Sequence, residues 1–155
     1  MPSFLPDKKD MALLDLLQQD SRMSNAEMAE RLGMSASACW RRVRALEEAG
    51  IVTRYAAVVD PGALGLGFEA IVHVILTRHE AENLTHFIKA VQRRDEVVEC
   101  YATTGQSDYQ MRVLCRDIEA YNQFLETFIF KLPAVSSAQT SVILRKIKTN
   151  TPVRG

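Results

Sequence analysis

The sequence predicts an α+β protein with a helical first domain, a linker strand and a ferredoxin-like βαββαβ second domain. Two observations support this prediction. Three helical patterns follow one another before Gly50, whereas strand and helix periods alternate from residue 68 onwards. Between the two regions, Asp60-Pro61-Gly62 is followed by Gly65 and Gly67, and residues of this kind interrupt regular structure. We therefore expect one domain over residues 1–60 and a second over residues 61–155.

Start and stop signals mark the three helices of the first domain. The first helix, over residues 8–19, has its apolar residues at helical spacing. The second begins after Ser24, which can form a capping box with Glu27. Gly33 allows the positive φ that ends this helix, and Ser35 can cap a third helix that extends to about residue 49. Two helices joined by such a short turn form a helix-turn-helix, within a winged or plain three-helix domain.

Strands and helices then alternate. The β-branched residues 51–59 predict the linker strand. Further strands are predicted over residues 68–76, 97–103, 109–115 and 135–147, and helices over residues 82–91 and 118–132. This order gives an antiparallel sheet with two helices on one face. The last residues, 150–155, are expected to fray.

Composition and charge exclude several classes of protein. Lys and Arg number 19, as do Asp and Glu, so any nucleic-acid site must be a local patch. No segment has the pattern of a signal peptide or a membrane span. The three cysteines match no metal-ligand spacing, and the three histidines are scattered. We expect a cytoplasmic protein with free thiols, no membrane partner, no cofactor, no metal and no catalytic residue.

The third helix carries three arginines within four positions, beside the only tryptophan of the chain. At about 100° per residue, three apolar side chains lie within about 60° of one another and form a buried stripe. They are Cys39, Val43 and Leu46. Ser37, Arg41 and Arg44 lie together on the opposite side. Because a guanidinium group matches a guanine edge or a phosphate, we expect this helix to enter the DNA major groove.

Double-stranded DNA is therefore the predicted partner of the first domain. The predicted contacts are Ser35, Ser37, Ala38, Trp40, Arg41, Arg42 and Arg44. Arg42 flanks the buried stripe, so a backbone phosphate and a structural ion pair are both open to it. An alternative is that the arginines form a solvated basic face, balanced by Glu47 and Glu48. The capping box and the glycine turn favour DNA binding.

Motifs occur in a consistent order from about residue 7 to residue 148. They are Ser24-Asn25-Ala26-Glu27, Leu32-Gly33-Met34-Ser35, Cys39-x-x-Arg42-Val43, Leu46-Glu47-x-x-Gly50-Ile51, Tyr55, Asp60-Pro61, Glu99-Cys100, Gly105-x-x-Asp108-Tyr109 and Leu132-Pro133. Together they resemble the feast/famine regulators of the Lrp/AsnC type. One departure is Ser37-Ala38, where the family often has Thr-Pro, so the hydroxyl is kept and the rigid helix start is lost. The resemblance implies a sequence-specific regulator of amino-acid metabolism or transport.

The turn over residues 103–109 is the candidate ligand site. A free amino acid needs donors for its carboxylate, which turn amides and the hydroxyls of Thr104 or Ser107 can supply, and an acceptor for its ammonium group, such as Asp108. An ordinary hairpin turn contains the same residue types, so that alternative stays open. The resemblance implies an amino-acid effector bound between dimers, at this turn and the final strand. The candidate residues are Tyr101, Thr104, Gly105, Gln106, Ser107, Asp108, Leu132, Gln139, Thr140 and Ser141.

The first strand of the second domain has apolar residues on both faces. Ile71, His73 and Ile75 alternate with Val72, Val74 and Leu76. An exposed apolar sheet face predicts a homodimer, and the resemblance implies that dimers assemble into tetramers or octamers. Two other functions stay open: an architectural DNA-binding oligomer without an effector response, and a small enzyme. No nucleophile–base pair, metal cluster or phosphate loop in the sequence supports the enzyme.

Overall fold

The computed structural model describes residues 4–77 and 81–154 and divides them into two units. The second unit comprises Val59–Lys146. The first unit joins the chain up to Val58 with the segment that begins at Ile147. The predicted α+β class is confirmed, with helices in the first unit and a four-stranded sheet with helices in the second.

The first unit contains the three predicted helices. They are α1 (Lys8–Gln19), α2 (Asn25–Arg31) and α3 (Ala36–Glu48). The predicted capping box is present, because Ser24 Oγ accepts the amide of Glu27 at 3.2 Å and the Glu27 carboxylate accepts the amide of Ser24 at 2.7 Å. Gly33 has the predicted positive φ of 60° in the turn between α2 and α3. The core consists of Leu13, Leu17, Met28, Ala29, Cys39, Val43 and Leu46.

Arg42 joins α3 to the start of α1. A carboxylate oxygen of Asp7 accepts the amides of Lys9 and Asp10, and the Asp10 carboxylate accepts the amide of Asp7, which completes a second capping box. Nη1 of Arg42 lies 2.9 Å from Asp7 Oδ2 and 2.7 Å from Asp10 Oδ1. Asp10 is only 4% exposed, so its charge needs this partner. Of the two roles open to Arg42, the structure shows the ion pair.

The prediction of a linker strand over residues 51–59 is wrong for the single chain. Residues 53–59 have no regular secondary structure, and their backbone forms no hydrogen bond to any other described residue. β-Branched residues favour extended backbone, whereas a strand also needs a neighbouring backbone to pair with. Tyr55 instead fixes the segment through its hydroxyl, which donates to Glu47 at 2.8 Å.

The second unit forms the predicted βαββαβ arrangement. Its elements are β1 (Phe68–Leu76), α4 (Ala81–Gln92), β2 (Val97–Ala102), β3 (Tyr109–Cys115), α5 (Ile118–Thr127) and β4 (Val135–Val142). The strand order is β2-β3-β1-β4, and every neighbouring pair is antiparallel.

Two elements of the second unit end about five residues earlier than predicted. Helix α5 stops at Thr127 because Phe128 leaves helical geometry (φ −121°, ψ −68°), and a short 3-10 turn, Ile129–Lys131, follows. Strand β4 stops at Val142, which pairs with Ala70 near the beginning of β1. Residues beyond it soon have no opposite strand, so the predicted extension to residue 147 is wrong.

Side chains on one sheet face pack against α4 and α5. The sheet contributes Ala70, Val72, Val74, Met111 and Val113, and the helices contribute Phe87, Val91, Tyr121 and Phe124. The other face, here called the open face, carries Ile71 and Ile75 but also a charged network. In this network Arg112 pairs with Glu69 at 2.8 Å and with Glu99 at 3.0 Å. The open face is therefore mixed, whereas the sequence predicted an apolar one.

Val153 and Arg154 are held by the first unit, whereas the sequence predicted that residues 150–155 fray. The backbone of Val153 donates to the Gln18 side chain at 2.7 Å and accepts from it at 3.0 Å. Arg154 pairs with Asp15 at 3.2 Å. Both partners belong to α1, so this tail is part of the first unit, whereas the sequence placed it in the second domain.

The Asp7 pairing predicts a pH-dependent stability. The Asp10 amide, the Arg42 guanidinium and the Lys9 amide together lower the pKa of Asp7 in the folded protein, although desolvation opposes them. A lowered folded pKa gives stability that is complete above the unfolded value of about 3.9 and is lost as the pH falls through the folded value. Asp7→Asn keeps a capping side chain but removes the charge. We expect wild type to be more stable than Asp7→Asn at neutral pH, and the difference to shrink below about pH 4.

The measurement is urea unfolding between neutral and acidic pH, followed by the fluorescence of Trp40, the single tryptophan, which lies in the first unit. A stability difference that is the same at every pH would contradict the ion pair.

Candidate DNA-binding and ligand sites

The start of α3 exposes the polar groups that the sequence assigned to DNA. Ser35 caps the helix, with its hydroxyl accepting the amide of Ala38 at 3.2 Å, and lies 3.2 Å from the hydroxyl of Ser37. Both serines are exposed, and Ala38 is half-buried. Cys39, Val43 and Leu46 are buried on the opposite side, as the helical spacing predicted. The first turn of α3 therefore presents hydroxyls to solvent at a helix N-terminus, a position that favours anions.

The three arginines of α3 have different surroundings. Arg42 is held by Asp7 and Asp10. Arg41 is exposed and forms no hydrogen bond or ion pair with any described residue. Arg44 lies 3.5 Å from Glu48 and its Cζ is 6.0 Å from the centre of the exposed Trp40 ring. An exposed pair of this kind is worth little, so Arg44 can exchange Glu48 for a nucleic-acid partner.

The alternative that the arginines form a solvated basic face balanced by Glu47 and Glu48 is supported only by the contact of Arg44 with Glu48. The other candidate counter-charge, Glu47, accepts the hydroxyl of Tyr55. Burial and this hydrogen bond raise the pKa of Tyr55 to about 12, so the hydroxyl stays protonated at neutral pH and keeps Glu47 occupied.

The hairpin between β2 and β3 is closed at its base and open at its tip. Thr103 donates its amide to the Asp108 carbonyl at 2.9 Å and its hydroxyl to the Ser107 carbonyl at 3.0 Å. Gly105, at the tip, has a φ of 115°, which a residue with a side chain rarely adopts. Within the described residues, the amides of Thr104, Gly105, Gln106 and Ser107 donate to no acceptor. Four neighbouring free amides can hold an anion.

Asp108 joins the hairpin to the end of β1. Its carboxylate accepts the amide of Leu76 at 2.8 Å, and its own amide donates to the Val74 carbonyl at 2.9 Å. The half-buried carboxylate therefore has a structural role that the sequence did not suggest. This role does not remove its negative charge.

Beside the hairpin lies a cavity of about 470 Å³, which is lined by residues of β1, β4 and the hairpin. Its lining consists of His73, Ile75, Gln106, Ser107, Ser137, Ala138 and Gln139. Three of the predicted effector residues, Gln106, Ser107 and Gln139, are brought together here. The volume lies within the ordinary range of small-molecule sites.

The other seven predicted effector residues are not among the described lining residues of this cavity; three of them, Thr104, Gly105 and Asp108, belong to the hairpin described above. Leu132 is in the core, and Thr140 points to the helix side, where its hydroxyl bonds with that of Tyr121. Ser141 lies on the open face, 3.3 Å from Nε2 of His73. Tyr101 is 57% exposed and donates to Glu99 at 3.2 Å.

Sequence reasoning missed four lining residues: His73, Ile75, Ser137 and Ala138. Strand alternation already placed His73 and Ile75 on one face. The missing information was the pairing of β1 with β4, in which His73 lies opposite Gln139 and Ile75 opposite Ser137.

The residues described by the structure include no helix that is long and apolar enough to cross a membrane. Over the same ranges, no three His, Cys, Asp or Glu side chains are grouped in a way that could hold a metal ion.

A capped helix-turn-helix with exposed arginines and a separate α+β unit with a cavity define a DNA-binding protein with a ligand-binding domain. Comparison with protein families agrees on both parts. Residues 6–53 match the winged helix-turn-helix DNA-binding family, and residues 69–153 match the Lrp/AsnC ligand binding domain. The chain belongs to the Lrp/AsnC family of DNA-binding transcriptional regulators, and it is not an enzyme.

Characterised relatives match over nearly the full chain. The transcriptional regulator AzlB of Bacillus subtilis is 32% identical, over 95% of this chain and 94% of its own length. The leucine-responsive regulatory protein of Escherichia coli is 33% identical, over 92% of this chain and 87% of its own length. The solved complex of the Neisseria meningitidis regulator NMB0573 with L-Met has a TM-score of 0.92 and 34% identity, and covers 96% of both chains.

The different surroundings of the arginines predict different effects on DNA binding. Replacing both Arg41 and Arg44 by alanine should weaken specific binding by roughly 1 to 3 kcal/mol or more, because both are predicted to contact base edges and neither is held by a buried partner. Arg42→Ala should weaken binding to all sequences alike, because it loosens α3 from α1.

The measurement compares operator and random DNA in fluorescence anisotropy. Arg31→Ala, an exposed arginine at the end of α2, is the matched control. Unchanged operator affinity in a folded Arg41/Arg44 double variant would contradict the assignment of α3.

Proposed function

We propose that this regulator controls genes of amino-acid metabolism or transport, in a sequence-specific way that depends on a small amino acid bound between dimers. The observation that carries the proposal is the cavity at which the free hairpin amides meet the open face of β4. The Neisseria relative, solved with L-Met, has the same fold over 96% of this chain.

The chemistry of the cavity suits a neutral amino acid. The effector carboxylate accepts hydrogen bonds from the amides at the hairpin tip and from the Ser107 hydroxyl. Asp108 does not itself line the cavity, but it follows Ser107 in the chain, and we propose its carboxylate as the acceptor for the ammonium group. Among the described residues, the cavity lining contains Ile75 and Ala138 but no Asp, Glu, Lys or Arg side chain, which favours an apolar effector side chain.

DNA binding is proposed to use the exposed face of α3. Arg41 and Arg44 contact base edges or phosphates, Ser35 and Ser37 hold a phosphate at the helix start, and Trp40 packs on the DNA backbone. Ala38, where the family often has proline, contributes only close packing. Arg42 keeps the helix in place. Such a protein works in the cytoplasm, in reach of the chromosome.

The proposed homodimer explains the unpaired linker. The backbone amides and carbonyls of residues 53–59 have no partner among the described residues, and Val58 is 76% exposed. Pairing with the same segment of a second copy would satisfy these groups in a symmetric ladder. The half-exposed Ile71 and Ile75 of the open face add apolar contact area. We propose that such dimers assemble into tetramers or octamers, and that the effector lies where two dimers meet.

The effector proposal predicts the phenotype of Asp108→Asn. An asparagine oxygen can still accept the amide of Leu76, so folding and basal DNA binding should persist. The charge is lost, so effector affinity should fall at least about tenfold, because a hydrogen bond to a charged group contributes roughly 1.5 to 3 kcal/mol. The measurement is calorimetric titration with each of the twenty amino acids, followed by operator binding with and without the best ligand.

Asp60→Asn is the matched control, because Asp60 also accepts a backbone amide, that of Gly62 at 2.9 Å. It should bind the effector like wild type. If the Asp108→Asn variant responds to the effector at the same effector concentration as the wild type, Asp108 has only its structural role. If no amino acid binds the wild type or changes its DNA affinity, the architectural alternative replaces the effector-responsive one.

The dimer proposal predicts different effects of two neighbouring proline substitutions. In an antiparallel pair, alternate amides point to the partner strand. One of Ala56→Pro and Ala57→Pro should therefore remove a hydrogen bond between copies and weaken the dimer roughly tenfold, while the other should have little effect. Sedimentation equilibrium of the full chain measures both. The proposed pairing would be contradicted if the wild type were a stable monomer at micromolar concentration. It would also be contradicted if both variants dimerised as strongly as the wild type.

A further inference from the structure

Positive charge is concentrated in the part of the chain that follows β4. The last acidic residue of the sequence is Glu126, and the 29 residues after it contain five Lys or Arg. Four of the five lie in residues 143–154, here called the basic segment, and they are Arg145, Lys146, Lys148 and Arg154. Because Lys and Arg equal Asp and Glu over the whole sequence, at 19 each, the residues before this segment carry an excess of negative charge.

The basic segment changes the charge of the unit that contains the helix-turn-helix. Up to Val58 that unit has eight Lys or Arg and eight Asp or Glu, so its formal charge is zero. The unit also includes the chain from Ile147 onwards, where Lys148 and Arg154 add two positive charges and no acidic residue opposes them. The second unit has nine Lys or Arg and eleven Asp or Glu. The net positive charge of the first unit therefore comes from the basic segment.

Both ends of the basic segment are held. At its beginning, Ile143 donates its amide to the carbonyl of Glu69 at 2.9 Å. Near its end, the side chain of Gln18 in α1 donates to the carbonyl of Val153 at 3.0 Å and accepts the amide of Val153 at 2.7 Å. The cations between these two points are consequently restricted before any partner binds, which lowers the entropy cost of binding.

The cations of the segment differ in their availability. Arg145 and Lys148 are exposed, and neither forms a hydrogen bond or an ion pair with any described residue. Arg154 pairs with Asp15 at 3.2 Å, but its side chain is 69% exposed, and an ion pair of this kind is easily exchanged. Lys146 is held by Glu69 at 2.6 Å. Two cations are therefore free, and a third can be released.

Double-stranded DNA is the polyanion that this protein meets. Two negative charges per base pair attract exposed Lys and Arg, and each contact releases counterions from the DNA. The first unit would lack a net attraction of this kind without the basic segment, because its other charges balance. An irregular backbone with long basic side chains can follow phosphates without matching a groove.

We propose that the basic segment is a second DNA-contacting element, in which Arg145 and Lys148 bind backbone phosphates while α3 contacts the bases. Arg154 joins them when it exchanges Asp15 for a phosphate. Contacts with phosphates carry no sequence information, so this element raises the affinity for every DNA sequence alike. It acts independently of the proposed effector site.

The test is the salt dependence of binding to a random-sequence DNA duplex, measured by fluorescence anisotropy at several salt concentrations from about 50 to 200 mM. The variant is the full chain with Arg145→Gln and Lys148→Gln. The matched control carries Lys89→Gln and Lys131→Gln, which remove the same charge from exposed lysines of the second unit. Sedimentation and thermal unfolding of all three proteins are recorded under the same conditions.

We expect the slope of log K against log salt concentration to become shallower in the Arg145/Lys148 variant by about one for each lost phosphate contact, which is about two per protomer. The affinity for the random duplex should fall accordingly. The Lys89/Lys131 control should keep the wild-type slope, and the sedimentation and unfolding temperature of both variants should match those of the wild type.

The proposal is overturned if the Arg145/Lys148 variant keeps the wild-type slope. It is also overturned if the control loses as much slope, because the effect would then follow from net charge and not from a contact. A variant that changes its sedimentation but not its slope would place Arg145 and Lys148 on carboxylates of another copy, and this too would overturn the proposal. None of these outcomes affects the assignment of α3, which is tested by Arg41 and Arg44.

Discussion

Arg42 bridges the two carboxylates that begin α1, and the position of α3 depends on this bridge. The Asp7 and Asp10 carboxylates would repel each other and leave one buried charge without a partner if the guanidinium were absent. With the guanidinium present, the same two carboxylates close a capping box, so one cluster both starts α1 and joins it to α3. Because Arg42 holds α3 in place, Arg41 and Arg44 are not needed for that contact. Their side chains are therefore available to a nucleic acid.

Asp108 has a comparable position in the second unit. The hairpin tip needs unpaired amides to bind an anion, and unpaired amides do not hold a loop in place. Asp108 fixes the base of the hairpin: its carboxylate accepts the amide of Leu76, and its amide donates to the carbonyl of Val74. Because both contacts go to β1, the tip is held at the strand that also carries His73 and Ile75. Rigidity at the base and free donors at the tip are compatible because different atoms provide them.

Local signals in the sequence predicted most of the fold, and long-range pairing explains what they missed. Capping residues and Gly33 marked the helices of the first unit, and alternation marked β1 and β3. The linker was mistaken for a strand of this chain because β propensity says nothing about where a partner lies. The ion pair of Arg42 joins residues more than thirty positions apart, and no local pattern distinguishes it from a phosphate contact.

The candidate ligand site divides in the same way. Hairpin residues were found because a glycine turn is a local signal, and Gln106 and Ser107 do line the cavity. Thr140 and Ser141 were predicted together, although neighbours on a strand point to opposite faces. The structure separates them accordingly, with Thr140 bonded to Tyr121 and Ser141 beside His73. Alternation was available from the sequence here, and the family resemblance obscured it.

After β4 the chain returns from the second unit to the first. Beyond this strand, Lys146 pairs with Glu69 of β1 at 2.6 Å, and a few residues later Val153 is bound by Gln18 of α1. The polypeptide thus passes between the two units twice, once near Val58 and once near Lys146. The second connection follows β4, which contributes Ser137, Ala138 and Gln139 to the cavity beside the hairpin.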